Sequence, residues 1–133
     1  MPLTRYDVLG IGNAIVDIIA RTEEDFLLKQ GMTKGTMALI DEARAEAIYA
    51  AMGPAIESSG GSAANTVVGL ASLGGRAAFI GKVKDDTLGR AFTHDIRAAG
   101  AAFTTPPAGD GPSTARCYVL VTPDGERTMN TYL

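Results

Sequence analysis

The 133-residue sequence predicts an α/β fold, a mostly parallel sheet flanked by helices. Apolar stretches rich in β-branched residues alternate with segments whose apolar residues recur every three to four positions. Glycine follows the helical segments, as at Gly53 and Gly100, where helices commonly end. Hydrophobic residues make up 46% and charged residues 20% of the chain, a composition that indicates a globular protein and excludes disorder.

The first half of the chain begins with an apolar stretch, Tyr6–Ala20, which predicts one buried strand that continues past a bend. A short turn of helix and a strand near Thr36–Ile40 are expected next. The stretch DEARAEAIYAAMG, acidic at its start and closed by Gly53, predicts a helix. A further helix is expected over Ser62–Leu73.

The second half predicts a strand, a helix, a loop and a hairpin. RAAFIGKV is typical of a buried strand, and DDTLGRAFTHDIRAAG predicts a helix because Leu88, Phe92 and Ile96 lie four residues apart. The stretch TTPPAGDGPS indicates a loop. TARCYVLVTPDGERTMNTYL then predicts a β-hairpin with its turn at Pro123-Asp124-Gly125. Because this hairpin stands outside the alternation of strands and helices, we expect an accessory lid.

Charge and cysteine content exclude several classes of function. The net charge is −3, and the basic residues are scattered, which argues against a nucleic-acid or membrane-surface binder. A single cysteine, Cys117, excludes an internal disulfide framework. The sequence shows neither a signal peptide nor an apolar stretch long enough to span a membrane, so we expect a cytoplasmic protein. It ends on a strand with no closing helix, which predicts the front part of a longer chain.

Two short motifs are discounted on their mechanism. GIGNAI resembles a dinucleotide fingerprint, but Ile15 replaces the third glycine and a strand-like stretch follows instead of a helix. The alternative that the protein is an NAD-dependent oxidoreductase depends on this motif alone. GKV lacks the other residues of a phosphate-binding loop. His94 and Cys117 have no partners at the spacing of metal ligands or of a nucleophile pair.

Asp17 is a candidate binding residue. It lies between Val16 and Ile18, where an ionised carboxylate is costly unless it is paired. Strand alternation predicts that Asn13 and Asp17 point to the same side, roughly 13 Å apart in an extended strand. The carboxylate could accept hydrogen bonds from ligand hydroxyls, with Asn13 beside it. The alternative is that Asp17 caps a bend and bonds to nearby backbone.

The stretch SSGGSAAN places two glycines at the start of a predicted helix. A helix start exposes unpaired N–H groups, and Gly60 and Gly61 would let a polar ligand lie directly on the backbone. Asn65, expected on the inward face of the first turn, can both donate and accept. Together with Asp17, these groups would bind neighbouring hydroxyls of a sugar ring. The alternative is a close strand–helix crossing, which explains the glycines but not Asn65.

At these residues the sequence resembles the ribokinase-like family of carbohydrate and nucleoside kinases, also called the PfkB family. The stretches GIGNAIVD, GGSAAN, LGGRAAFIGKVKDDTLG and TPDGERTM occur in the family's order and cover nearly all of the chain. Val67 stands where a small or hydroxylated residue is usual and Lys84 where glycine is usual. The long segment between Asp17 and Gly60 resembles the adenosine kinase branch rather than ribokinase proper.

The resemblance implies transfer of the ATP γ-phosphoryl group to a sugar hydroxyl of a nucleoside, above all adenosine, with Mg²⁺. It implies that Asp17, Gly60, Gly61 and Asn65 bind ribose hydroxyls and that Asn13 lies near the base or sugar. Lid pieces near residues 20–40 and 113–133 would close over the substrate and exclude water.

The family's catalytic aspartate lies in a Gly-Ala-Gly-Asp motif that this sequence lacks. We therefore expect residues 1–133 to be the N-terminal portion of one kinase domain, with no catalytic residue and with the ATP and Mg²⁺ sites outside this chain. A sugar kinase for ribose or fructose and a non-catalytic chain remain as alternatives. The expected partner is a nucleoside or sugar, not a nucleic acid or membrane, and the sequence does not indicate an oligomeric state.

Overall fold

The apolar stretch near the start of the chain forms two strands in the computed structural model, which describes residues 4–133. Strand β1 (Val8–Ile11) belongs to a two-stranded sheet, whereas β2 (Ile15–Arg21) belongs to a sheet of five strands. The prediction of one buried strand over Tyr6–Ala20 is therefore wrong. Leu9 and Ile11 in β1 are 53% and 72% exposed. The alternation in β2 of buried and half-buried residues is that of a strand with one face toward a core.

The described residues divide into two units, each built from segments distant in sequence. The first unit runs to Val16 and resumes over Ser59–Thr114. The second consists of Asp17–Ser58 and Ala115–Leu133. The chain therefore crosses between the two units three times, after Val16, after Ser58 and after Thr114.

The first unit holds its two strands against helix α3. Strand β1 pairs in parallel with β5 (Ala77–Ile80), Val8 opposite Ala77, and α3 (Ser62–Ser72) packs on both strands. Helix α4 (Thr87–Ala98) follows and buries Phe92 and Ile96, as the four-residue spacing predicts. The rings of Phe79, Phe92 and Phe103 lie with centroids 5.5 to 5.9 Å apart, the separation at which aromatic pairs add to burial.

The second unit contains the remaining elements in chain order: α1 (Glu24–Lys29), β3 (Met37–Leu39), α2 (Glu42–Ala51), β4 (Ile56–Gly60), β6 (Ala115–Val121) and β7 (Arg127–Tyr132). The terminal residues of β2 and β4 belong to the first unit. The five-stranded sheet has the order β3-β7-β6-β2-β4. Strands β3 and β7 are parallel and β6 and β7 antiparallel, so this sheet is mixed. The α/β prediction is confirmed.

The hairpin turn forms at the predicted residues. Gly125 has a positive φ of +82°, and its N–H donates to the carbonyl of Thr122 at 2.8 Å. Asp124 accepts from the Thr122 hydroxyl at 2.7 Å. Its carboxylate also pairs with Lys34, which holds the pKa of Asp124 below its usual range. The Lys34 ammonium contacts Glu24 as well, so α1 is tied to the hairpin turn.

Strand β4 is the element that the sequence reading missed. Its stretch IESSG contains one residue, Ile56, of a type enriched in strands. Pairing with neighbours distant in sequence therefore decides its conformation. None of the helices in residues 4–133 is long and apolar enough to cross a membrane.

Candidate functional site

The beginning of α3 lies against the loop between β1 and β2. Gly61 precedes the helix with φ +96°, a conformation that side-chain-bearing residues rarely adopt. A Cβ atom built on Gly61 would lie 2.7 Å from the carbonyl oxygen of Asn13. Packing alone therefore requires glycine at this position. A branched residue at Gly61 would strain the backbone whether or not a ligand binds there.

Two glycines near β1 allow the same helix to approach closely. A Cβ on Gly10 would lie 2.5 Å from Cγ2 of Val67, and a Cβ on Gly12 would lie 2.8 Å from Cβ of Ala63. Val67 is 1% exposed, so its larger side chain fills the space that Gly10 leaves. The departure from the family's pattern at Val67 thus has a packing reason. A close strand–helix crossing was the alternative explanation for Gly60 and Gly61. Gly10 and Gly12 also take part in such a crossing.

The first turn of α3 presents Asn65 outward. Ala64 and Val67 are the buried residues of this helix, and Asn65 is exposed. The expectation that Asn65 lies on the inward face is therefore wrong. Its backbone N–H closes the first helical turn on the Gly61 carbonyl at 2.8 Å. Asn13 is exposed as well, so both amide side chains are accessible to a ligand.

The start of α3 has no side-chain cap. Helices α2 and α4 each begin at an aspartate, Asp41 and Asp86, whose carboxylate accepts a backbone N–H at 2.8 Å. Gly61 occupies the corresponding position of α3 and makes no such bond. The first N–H groups of a helix have no partner within the helix and favour negative charge or an acceptor oxygen. The backbone at Gly61 can therefore bind a ligand oxygen in the place that a capping side chain occupies in α2 and α4.

In the second unit, Asp17 is a half-buried carboxyl group on β2. Burial raises its pKa, and the charge of Arg127 on β7 acts in the opposite direction. Among the described residues, burial and the charge of Arg127 account for this shift, and no hydrogen bond contributes to it. The alternative interpretation, a cap that bonds to nearby backbone, therefore has no support in the described part of the chain. A partly desolvated carboxylate that also interacts with a nearby opposite charge is a candidate for a binding residue.

Asn13 and Asp17 do not lie on one continuous strand in the structure. Gly12, Asn13 and Ala14 lie between the two strands, so the alternation argument does not apply across them. Asn13, Gly60, Gly61 and Asn65 belong to the first unit and Asp17 to the second. Asn13 and Gly61 are in direct contact within the first unit.

Arg127 was not among the predicted site residues. It opens β7 and pairs with Val121 across the hairpin. The signal that could have found it is the hairpin register, because the short turn fixes which residues of the two strands face one another.

GIGNAI, His94 and Cys117, which the sequence analysis discounts, have the following settings among the described residues. GIGNAI is followed by β2 rather than by a helix, so the fingerprint lacks the helix start that it requires. Cys117 is buried in β6, and burial raises the pKa of its thiol, which makes it a poor nucleophile. His94 and Cys117 belong to different units. Among residues 4–133, no group of three or more His, Cys, Asp or Glu side chains could hold a metal ion.

Comparison with known proteins decides the family. The model of the pfkB family of carbohydrate kinases matches residues 51–133, more than half of the chain. The chain belongs to the pfkB family. The resemblance noted in the sequence is confirmed.

Solved structures of other proteins match nearly the whole chain. It is 62% identical to the adenosine kinase from Sinorhizobium meliloti, with a TM-score of 0.92, over 98% of this chain and 40% of that one. It is 58% identical, with the same TM-score and coverage, to a probable sugar kinase from Rhizobium etli. Among curated proteins, it is 37% identical over 82 residues to probable fructokinase-4 of Arabidopsis thaliana, or 58% of this chain and 24% of that protein. The chain thus spans about two fifths of these structures and a quarter of that fructokinase.

Proposed function

We propose that the protein carrying this chain is an ATP-dependent kinase that phosphorylates a sugar hydroxyl of adenosine, and that this chain supplies residues that bind the acceptor. The observation that carries the proposal is the 62% identity, over 98% of the chain, to a protein described as an adenosine kinase. The length of the segment between Asp17 and Gly60 supports the same branch of the family.

Five residues are proposed to contact the acceptor, Asp17 in the second unit and Asn13, Gly60, Gly61 and Asn65 in the first. Asp17 accepts hydrogen bonds from ribose hydroxyls, and Asn65 and Asn13 contact the nucleoside through their exposed amides. Gly61 forms the uncapped start of α3, where the positive end of the helix favours the lone pairs of an acceptor oxygen, and Gly60, the last residue of β4, precedes it without a Cβ that would obstruct a ligand.

The chemistry expected of Asp17 follows from its surroundings. Burial makes its charged form costly, and a substrate that donates hydroxyl protons lowers that cost. A hydrogen bond to a charged group contributes about 1.5–3 kcal/mol. Asp17 therefore provides both affinity and orientation for the acceptor.

ATP and Mg²⁺ are part of the proposal, but their sites are not assigned to residues of this chain. When bound, they supply the transferred phosphoryl group and neutralise its charge. The residues at 20–40 and 113–133 act as lid pieces that exclude water from the acceptor. Most of both ranges lies in the second unit, Asp17–Ser58 with Ala115–Leu133, which supports grouping them.

A sugar kinase is the second candidate. The match to the fructokinase from Arabidopsis thaliana and the 58% identity to a probable sugar kinase favour a free sugar as acceptor. Both candidates require hydroxyl recognition by Asp17. They differ in whether the base of a nucleoside contributes to binding.

The test is an ADP-release assay of the full-length protein with ATP, Mg²⁺ and adenosine, ribose or fructose. We expect the highest kcat/KM with adenosine. Asp17→Asn should lower kcat/KM by about 10- to 100-fold, the equivalent of one charge-assisted hydrogen bond. Asp110→Asn, which changes an exposed carboxylate in a loop of the first unit, is the matched control and should behave like the unmodified protein. Faster turnover of fructose or ribose would favour the sugar kinase, and no turnover of any acceptor would favour a non-catalytic protein.

A further inference from the structure

A cleft of about 690 Å³ lies in the first unit, and none of the residues proposed for the acceptor lines it. Its walls come from the segment before α4, from α4 itself and from the loop that follows it, and include Val83, Lys84, Arg90, His94, Arg97 and Pro107. Sites for small molecules in proteins commonly have volumes of roughly 300–1,000 Å³. The cleft is therefore large enough for a small metabolite.

The polar wall of this cleft is positively charged. Arg90, His94 and Arg97 follow one another at intervals of four and three residues, so they share one face of α4. Lys84 adds a further positive charge, and Asp85 is the acidic residue of the lining. Three permanent positive charges against one negative leave the wall at +2, whereas the whole chain carries −3.

Two of these cations are held in place without being neutralised. Lys84 Nζ donates to the carbonyl oxygen of Gly111 at 2.7 Å, and Arg97 Nε donates to the carbonyl oxygen of Phe103 at 2.9 Å. Carbonyl oxygens orient the side chains but leave their full charge. Arg90 pairs with Asp85 at 2.9 Å. A guanidinium has five N–H donors and an ammonium three, so most donors of Lys84 and Arg97 remain for a ligand.

The remaining wall is uncharged, with Thr93 and Thr105 beside apolar residues. Val83 is 3% exposed, and Ala98 and Pro107 complete this side of the cleft. A ligand that fits must therefore combine a strongly anionic group with an uncharged body. A net charge of +2 matches a phosphate dianion better than a single carboxylate, and arginine binds phosphate oxygens in pairs.

We propose that this cleft binds a small molecule that carries a phosphate group, with Lys84, Arg90 and Arg97 as donors to the phosphate. The site does not depend on the proposed kinase activity, because none of its residues belongs to the proposed acceptor site. His94, the single histidine of the chain, lies in the wall and reports on occupancy.

The test is an NMR titration of the full-length protein with inorganic phosphate and ribose 5-phosphate, with ribose and sodium chloride as controls. The imidazole resonance of His94 is identified by its loss in His94→Gln. Both phosphate compounds should shift this resonance to saturation, and the controls should not. Arg90→Gln and Arg97→Gln should each weaken binding about fivefold or more. Arg90 is included because its exposed ion pair can be lost without affecting the fold.

Two variants separate this site from the rest of the protein. Arg5→Gln removes the same charge from an exposed position outside the cleft and should leave the titration unchanged. Asp17→Asn should also leave it unchanged, whatever its effect on kinase activity. Absence of a saturable shift would overturn the proposal, and so would equal weakening by Arg5→Gln, because binding would then follow overall charge.

Discussion

The two long helices of the first unit begin in opposite ways. Helix α4 begins at Asp86, whose carboxylate accepts from the backbone N–H of Gly89 at 2.8 Å and from the backbone N–H and hydroxyl of Thr114 at 2.9 and 2.7 Å. Helix α3 begins at Gly61, which has no side chain to accept from the helix. Both starts use a glycine where backbones approach closely, Gly89 beside Lys84 and Gly61 beside Asn13. Similar glycine motifs thus have different consequences: the start of α4 is satisfied within the protein, whereas the start of α3 leaves donors for a ligand.

The largest expected effect is at the closed start of α4. A Cβ on Gly89 would lie 2.0 Å from the carbonyl oxygen of Lys84, a backbone atom that cannot move alone. We expect Gly89→Ala to lower the free energy of unfolding by about 3 kcal/mol, measured by urea denaturation of the full-length protein. The matched control is Gly69→Ala in the middle of α3, where a Cβ would meet no heavy atom within 4 Å. It should raise the free energy of unfolding by about 0.5–1 kcal/mol. Equal effects of the two variants would contradict the close approach at Gly89.

The second largest expected effect on stability is at Asp86, the residue that caps α4. Asp86→Ala removes the acceptor from three donors, and we expect a loss of about 2 kcal/mol in the free energy of unfolding. Burial would raise the pKa of Asp86, but its bonds to Thr114 and Gly89 outweigh burial and lower it. Because the folded-state pKa lies below the unfolded value, the stabilisation is present above about pH 4 and is lost as the pH falls through the folded pKa. Asp86→Asn should lose this part of the acid dependence, and an unchanged acid transition would argue against the cap.

The smallest expected change in stability is at the open start of α3. Asn65 is exposed, and alanine has the higher helix propensity, so Asn65→Ala should raise the free energy of unfolding by about 0.5 kcal/mol or less. If Asn65 contacts the nucleoside, the same variant should raise KM for adenosine about tenfold. Thr66→Ala, which changes the adjacent exposed residue of α3, is the control and should leave KM unchanged. A normal KM for Asn65→Ala would remove Asn65 from the proposed acceptor site.

Local sequence patterns correctly predicted the turns and helices that depend on residues close together in the sequence. The turn Pro123-Asp124-Gly125 and the apolar face of α4 are examples, because each depends on residues a few positions apart. Strand β4 was missed because its conformation depends on pairing with distant segments. The division of Tyr6–Ala20 into two strands was missed because both parts have strand-like composition and differ only in the sheet that they join.

The candidate site residues remain a prediction, and the structure corrects part of their expected geometry. A close crossing was the alternative explanation for the two glycines before the helix, and it applies to Gly61, which lies beside the Asn13 carbonyl. The predicted orientation of Asn65 was wrong because Ala64 and Val67, which pack in the core of the first unit, define the buried face of α3. Arg127 lies far from Asp17 in sequence, so its effect on that carboxylate required the strand register.

Amide hydrogen exchange with and without adenosine tests most directly whether the start of α3 binds the acceptor. The account predicts that saturating adenosine slows exchange at residues 61–65 of the full-length protein and leaves exchange at residues 86–90, the capped start of α4, unchanged. Unchanged exchange at residues 61–65 under saturating adenosine, or equal slowing at both helix starts, would contradict it.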